Sequence, residues 1–546
     1  MKRQTLTQSM AWLHTWGGLI FGWMLFAIFL TGTLAVFDKE LDHWMQPEVA
    51  RGDVSQSEAA QVGLDYLQRT AADASAWNIG LPTERSPGLR VSSGEGRRGA
   101  GQDLDPQTGE PLSARETLGG QFFFHFHYTL HLPRMFGIWV VGLAAMAMLA
   151  ALVSGIVIHK KFFKEFFTFR PAKGQRSWLD AHNASAVLVL PFHLMITYTG
   201  LVIMYLLYMP AAVDALYGGD TQALFREIRP QLVAQAPQGQ GQQRQGERSP
   251  SADGARPPRG EGERAKPAAA ALQPIGRFIE QAEAHYGKGM LGSLSISNPG
   301  RAGAQVSVSP LLGSRMELTK GERMLFDGVS GKLLQAPPAS RPSVLTQRVM
   351  SGLHFAQFGG YPMRWLYFLC GLASCAMIAS GVVLFTVKRR RKYAAEAPLG
   401  RALYRLVEGL NLATIGGLAL ACVGLLWANR LLPVELSGRS GWELSAFFGI
   451  WLASLLHGLV RPYLQAWREQ LWLAALLCAA LPLLDALSAA PLHDLARGDR
   501  MRVGVDLVGL ALGLLLAYCA WRVGRPAPLP TARRSAAAKS AAEVAR

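Results

Sequence analysis

Residues 13–32 read LHTWGGLIFGWMLFAIFLTG, and residues 181–200 read AHNASAVLVLPFHLMITYTG. With a shift of 168 and no gap, His14 falls on His182, Thr31 on Thr199 and Gly32 on Gly200. Each stretch opens on a histidine and continues into the run of about 20 apolar residues that crosses a hydrocarbon core of about 30 Å. A second match lies at a shift of 226, where Trp139 falls on Trp365 and Ser154-Gly155 on Ser380-Gly381. Upstream of it, Leu130-His131 matches Leu353-His354 once three extra residues are allowed after the second histidine. The chain therefore reads as a repeated membrane unit.

Eight apolar runs are expected to span: Trp12–Phe37, Phe136–Ile158, Leu179–Met209, Trp365–Val387, Leu406–Ala428, Trp442–Val460, Leu471–Ala489 and Val503–Trp521. The first is too long for a cleaved signal peptide, and Asp38-Lys39-Glu40 offers no small-residue cleavage site. The 55 Lys and Arg against 38 Asp and Glu leave a formal charge of +17. Much of that charge is clustered. Lys160, Lys161, Lys164, Arg170, Lys173 and Arg176 follow the second span, Lys388, Arg389, Arg390, Arg391 and Lys392 follow the fourth, and Arg522 to Arg546 close the chain. All these fall on the side of Lys2 and Arg3, which the positive-inside rule makes cytoplasmic. The excess charge thus labels topology, and no basic module with base-stacking aromatics points to nucleic acid. The five cysteines all lie in spans, so the exported segments do not depend on disulfides.

The expected organisation is a first span (1–37), an exported domain (38–130), spans two and three with their basic loop (131–209), and a second exported domain (210–350). The second domain holds a disordered insertion at 234–272, rich in Gln, Gly, Pro and Arg, and a shorter segment of the same kind lies at 85–102. A fourth span (351–392), a four-span extension (393–525) and a basic disordered tail (526–546) complete the chain. Each exported segment opens on a short helix, Ser57–Thr70 or Ile275–Tyr286, and closes on a strand–turn–strand pattern, DLDPQTGEPL (103–112) or LFDGVSGKLL (325–334). The fold class is a membrane all-α bundle of about eight spans with two small periplasmic α+β domains and an internal duplication. A repeat in this orientation implies a pseudo-two-fold axis along the membrane normal.

Paired spans around an exported α+β domain that ends in Asp-Pro-x-Thr-Gly-Glu (105–110) resemble the PepSY-associated transmembrane proteins over about residues 8–395. The Leu-His at 13–14, the Leu-His at 130–131 and the Asp-x-His-Asn of 180–183 are similar to the ferric-siderophore reductase and iron-uptake branch. The second turn, 327–331, lacks the Pro and Glu of the pattern. The resemblance implies a b-type haem protein of the bacterial inner membrane, with both termini cytoplasmic, that reduces ferric siderophores or other ferric chelates in the periplasm.

Of the twelve histidines, four are repeat-equivalent. His14 and His182 begin the first and third spans at the cytoplasmic side, while His131 and His354 precede the second and fourth at the periplasmic side. In a four-helix bundle with a central two-fold, equivalent helices face each other diagonally, so each pair converges on the axis. Opposed imidazoles are what a six-coordinate haem iron needs, and Cys-x-x-Cys-His is absent, so two non-covalent b haems are expected. Lys160, Lys161 and Arg176 inside, and Arg134 and Arg364 outside, are the cations expected near haem carboxylates. His131 and His159 lie 28 residues apart, about 42 Å of helix at ~1.5 Å per residue, so His159 belongs to the inner level. His193 lies about three turns from His182 on nearly the same face, and its repeat partner is Leu25. His127 and His131 share a helix face, so either can be the outer ligand. His125, His127 and His131 are the alternative zinc cluster. His43, His285 and His493 are expected at the surface, and His457 in packing or a headgroup contact.

These residues predict a haem oxidoreductase passing electrons from an external donor, a quinol or a cytoplasmic reductase, to a ferric chelate held by the exported domains. Membrane lipid is the other expected partner. The competing readings are a membrane-anchored binding, sensory or peptidase-regulating protein, and a siderophore permease. No Gly-rich phosphate loop, Rossmann pattern or hydrolase triad signature is present.

Overall fold

The structure, a computed structural model, describes residues 5–49, 54–94, 101–159, 174–208, 210–220, 223, 268–488 and 499–525. Lys2, Arg3, the basic residues of 160–173, most of the expected insertion at 234–272, residues 95–100, His493 and the tail 526–546 lie outside the described residues.

Helix α1 (Leu6–Ala35) starts at a capping box, in which Thr5 and Gln8 each bond the other's backbone N–H. It continues for 30 residues, enough to cross a bilayer. Short α2 (Asp38–Met45) follows, and α4 (Gln121–Thr129) leads into the second span, α5 (Arg134–Ile158). Among the described residues, six helices are long and apolar enough to cross a membrane, and eight if each of two bent pairs is one span. The chain is therefore a multi-pass membrane protein. The third span bends by 67° between Gln175–Leu188 and Leu190–Ile203. Pro191, in the first turn of the second piece, cannot continue the N–H ladder and crowds the turn before it. The seventh bends by 44° between Tyr463–Ala479 and Leu481–Ser488, where Pro482 stands in the same position.

The first four spans form a ring. α1 packs on α5 and on Gly360–Ala394, and the bent third span also packs on both of these. α1 thus lies diagonally across from the third span, the arrangement expected for repeat-equivalent helices.

On one side of the bundle, called here the sheet side, sits a single antiparallel sheet of eight strands in the order β4-β3-β2-β1-β5-β6-β7-β8. Its first half comprises β1 (Ala76–Gly80), β2 (Leu89–Ser93), β3 (Gln102–Leu104) and β4 (Pro111–Leu112). Its second half comprises β5 (Leu291–Ser297), β6 (Gln305–Pro310), β7 (Met324–Asp327) and β8 (Leu333–Gln335). The sequence suggested two separate small domains; the halves instead join edge to edge, Trp77 opposite Ile296 and Ile79 opposite Leu294. The pairing removes two open edges that would otherwise expose unpaired N–H and C=O groups. Alternate residues face a common core with α3 (Gln56–Thr70) and the helix Ile275–Tyr286. Trp77, Ile79, Val91, Leu294, Ile296, Val306 and Val308 are buried against Leu64, Leu67, Phe278 and Ile279. Gln56 stitches the halves, bonding the carbonyl and N–H of Leu291.

Both turn motifs close alike. Asp105 accepts from the N–H groups of Gln107 and Thr108, and Asp327 from those of Val329 and Ser330. Gly109 and Gly331 both take positive φ, 73° and 75°. The turn therefore needs only the Asp and the Gly, and the missing Pro and Glu change nothing in it.

The extension starts with Pro398–Leu412, which passes through a π-turn at Ala413–Gly417 into Leu418–Leu431. It lies against α1 and Gly360–Ala394, with Asn411 accepting from Trp23 at 2.8 Å and donating to the Val382 carbonyl at 3.1 Å.

Candidate functional site

Four histidine rings are seated in the same way. His14 Nδ1 lies 2.9 Å from the Ala151 carbonyl, and His182 Nδ1 2.8 Å from the Met377 carbonyl. At the sheet side, His127 Nδ1 lies 2.8 Å from the Ile28 carbonyl, and His354 Nδ1 3.0 Å from the Ile196 carbonyl. Met377 is Ala151 shifted by 226, and Ile196 is Ile28 shifted by 168. A carbonyl can only accept, so Nδ1 carries the proton and the neutral ring presents the Nε2 lone pair. That is the arrangement in which a second-shell carbonyl orients an imidazole for a metal.

The rings meet in pairs. His14 and His182 have centroids 6.1 Å apart, and His127 and His354 6.0 Å apart. Two imidazoles binding one metal from opposite sides, with bonds of about 2 Å and ring centres about 1 Å behind each nitrogen, put the centroids about 6 Å apart. Among the described residues, no group of three or more His, Cys, Asp and Glu side chains is placed to hold a metal ion. Two imidazoles are too few for structural zinc, which takes four protein ligands. They suit an iron whose other positions are filled by a macrocycle, so the residues fit a haem at each level. From His14 to Ile28 is about 21 Å of α1 at ~1.5 Å per residue, which sets the separation of the two levels. An apolar recess of about 420 Å³ lies beside the sheet-side pair, lined by Leu149, Met195, Tyr198, Thr199, Met350 and Leu353.

Small residues make the seats. A Cβ on Gly32 would stand 2.6 Å from His127 Nδ1, and one on Gly200 2.8 Å from His354 Cε1. At the other level, a Cβ on Gly155 or Gly381 would come within 3.3 or 3.0 Å of the His14 or His182 ring. Beside each glycine a hydroxyl bonds back into its own helix, from Thr31, Thr199, Ser154 and Ser380. These Thr-Gly and Ser-Gly steps were visible as repeat markers, but their contact with the rings was not.

The expected pairing of His131 with His354 is corrected: His127 stands opposite His354. α4 ends at Thr129, and Leu130 and His131 both take positive φ, 51° and 57°. This left-handed turn swings His131 out to an exposed position against Phe122 and Phe448, with ring centres 6.0 and 5.7 Å away. His125 is exposed and bonds the Gln121 carbonyl of its own helix, so the zinc cluster of His125, His127 and His131 does not assemble. His193 is fully buried but stands apart from the pairs, with Nε2 2.9 Å from Ser374 Oγ and its ring 6.5 Å from Phe29. His159 caps α5 and takes Asn183 Nδ2 at 2.5 Å, beside the inner pair. Of the expected cations, Arg364 is buried and donates to Gln357, while Arg134 and Arg176 are exposed.

One other expectation is also revised. His43 is not at the surface; it is buried against Asp499 at 2.5 Å. Asp485 and Asp506 take part in the packing of the extension. Asp485 takes Arg430 and Arg502, Arg430 covers the Trp44 ring at 4.2 Å, and Trp44 donates to Asp506 at 2.9 Å. These groups dock the extension on α2. His285 is exposed, as expected, whereas His457 pairs with Glu469 at 2.8 Å.

The sheet is coupled to the bundle through Arg85, which bonds Glu40 with both arms of its fork and reaches Asp38 and the Val36 carbonyl. Burial pushes the Glu40 carboxyl up, but Arg85 outweighs it and holds the group below its ordinary value. Burial dominates at Asp38, whose carboxyl stays above its ordinary value. A depressed folded value means that Glu40 stabilises this junction above its ordinary value of 4.5 and ceases to do so as pH falls through the folded value. Glu40→Gln is therefore expected to ease opening of residues 81–88 at neutral pH by about 2 kcal/mol, the scale of a charge-assisted hydrogen bond, since Arg85 keeps Asp38 and the Val36 carbonyl. The difference from the parent should close below pH 4.5, as read by amide hydrogen exchange.

The family model of the PepSY-associated TM region matches residues 11–388. No curated protein matches the chain.

Proposed function

The chain belongs to the PepSY-associated TM region family, and from that premise we propose that it is a b-type haem oxidoreductase of the bacterial inner membrane. It reduces a periplasmic ferric siderophore or another ferric chelate. The observation that carries this reading is the pair of histidine rings about 6 Å apart at each level, every Nδ1 tied to a helix carbonyl. His14 and His182 would hold one haem and His127 and His354 the other. Bound haem iron supplies a one-electron couple at each level.

The protein's own groups fix the conditions for that chemistry. The carbonyls of Ala151, Met377, Ile28 and Ile196 keep each ring in the tautomer that can bind a metal. Gly32 and Gly200 let the sheet-side rings lie against the helices. The duplicated seats favour two copies of one ancestral unit, with the sheet halves as PepSY-like domains. Arg389, Arg390, Arg391 and Lys392 at the far end of the fourth span favour a cytoplasmic far side and a periplasmic sheet. Each ferric ion takes one electron, so a quinol giving two electrons and two protons matches two ferric ions.

The test uses the purified protein in liposomes, with a reductant inside and a ferric chelate with a ferrous indicator outside. Ferrous iron is expected to form outside, and to stop forming with His14→Ala. Ferrous formation that survives replacement of every paired histidine contradicts the proposal. Accumulation of labelled chelate without any reductant would support a permease instead.

A further inference from the structure

The four spans of the extension lie beyond the family match, and their sequence carries no evident chemistry. Besides its contacts with α1, α2 and Gly360–Ala394, the extension reaches the approach to α4, the helix that carries His127. α4 has nine residues, too few to hold a helix without packing. It packs on α1 and α5, and its Phe122 and Phe126 reach the extension helix Arg439–Val460. Phe447 stands 4.8 Å from Phe122 and 5.6 Å from Phe126, and Trp451 6.0 Å from Phe126.

The strand of chain leading into α4 is held by the same helix. Glu443 accepts from the Leu118 N–H and from Thr117 Oγ1, each at 2.8 Å. Its carboxylate also takes Arg439 at 2.6 Å and Asn429 at 2.9 Å. Arg439 donates to the Glu116 carbonyl at 2.8 Å, and Arg115 to the Asn429 carbonyl at 3.1 Å. Glu443, Arg439 and Asn429 have no exposed surface (0%). A buried ionic group is weak evidence for stability but a good way to define one arrangement.

The equivalent helix of the second half, Pro342–Phe355, is supported differently. Arg348 on it bonds the Leu318 carbonyl, Ser340 and Glu322, and its own carbonyl takes the Leu318 N–H. That support comes from the 311–323 segment between β6 and β7 and from Ser340 just before the helix.

We propose that the four-span extension is a built-in positioning partner for α4. Glu443, Arg439 and Asn429, with the Phe447 and Trp451 face, fix the approach to α4 and so hold His127 opposite His354. The link to cofactor binding rests on the reading of His127 and His354 as ligands; the positioning of α4 does not.

The test compares the full-length parent with Thr117→Val, Phe447→Leu and Glu443→Gln, and with Thr117→Ser, which keeps the hydroxyl. Amide hydrogen exchange is read over residues 121–129 and 342–355, and the absorbance and reduction midpoint of each haem are read alongside. The first three variants should speed exchange over 121–129 at least tenfold and leave 342–355 unchanged. They should also shift the reduced-to-oxidised ratio of one haem about tenfold and leave the other alone, while Thr117→Ser behaves as the parent. Parental exchange over 121–129 in both Thr117→Val and Phe447→Leu, both folded, overturns the positioning role. If the parent carries no haem, the function proposed above fails and the exchange readings alone decide this one.

Discussion

His127→Ala is expected to abolish the bis-imidazole signal of the sheet-side pair, and His131→Ala to leave it near the parental level. The two residues are one helical turn apart in sequence, so the contrast is sharp. His127 faces His354 at 6.0 Å with Nδ1 fixed by Ile28, whereas His131 lies past the end of α4, exposed against Phe448. Either replacement would leave one imidazole to hold a haem at that level, so His354→Ala should have the same effect as His127→Ala. The signal of His14 and His182 should survive both, because the two levels share no ring. Low-temperature optical and electron paramagnetic resonance spectra of the purified variants check this. Equal loss from His127→Ala and His131→Ala would contradict the assignment.

Gly32→Ala and Gly200→Ala should be nearly as damaging, although neither residue offers a ligand atom. The added Cβ would lie 2.6 Å from His127 Nδ1 or 2.8 Å from His354 Cε1. Contacts that close force the ring away from its carbonyl, because the glycine sits on a packed helix that cannot yield. Loss of a second-shell partner typically weakens metal holding by about 10–100-fold, and these variants displace the ring as well. Gly18→Ala is the control, since a Cβ there meets nothing within 4 Å. Haem titration should show weak sheet-side binding in the first two variants and parental binding in the third.

Much of the bundle was legible in the sequence because hydropathy and repetition act over long stretches. His14 and His182 were placed correctly by a gapless shift, and the structure sets them 6.1 Å apart. His131 was preferred over His127 because Leu130-His131 matches Leu353-His354; the left-handed turn at Leu130 and His131 leaves no apolar periodicity to read. The joining of two expected domains into one sheet was also hidden, because edge pairing between β1 and β5 is made by backbone groups that every sequence carries. Arg430, Arg439, Glu443 and Arg502 lie near span ends, where they resemble ordinary interfacial charges. Only the packing of the extension shows that Arg439 and Glu443 are fully buried. Thr31-Gly32 and Thr199-Gly200 were noticed as repeat markers, and their role required knowing which ring crosses each helix.

The most direct test of the account is the haem content of the purified full-length protein from haem-replete cells. Two b haems per chain are expected, both low-spin with two imidazole ligands, one lost with His14→Ala and the other with His127→Ala. A colourless preparation, or one whose haem survives both replacements, would contradict it.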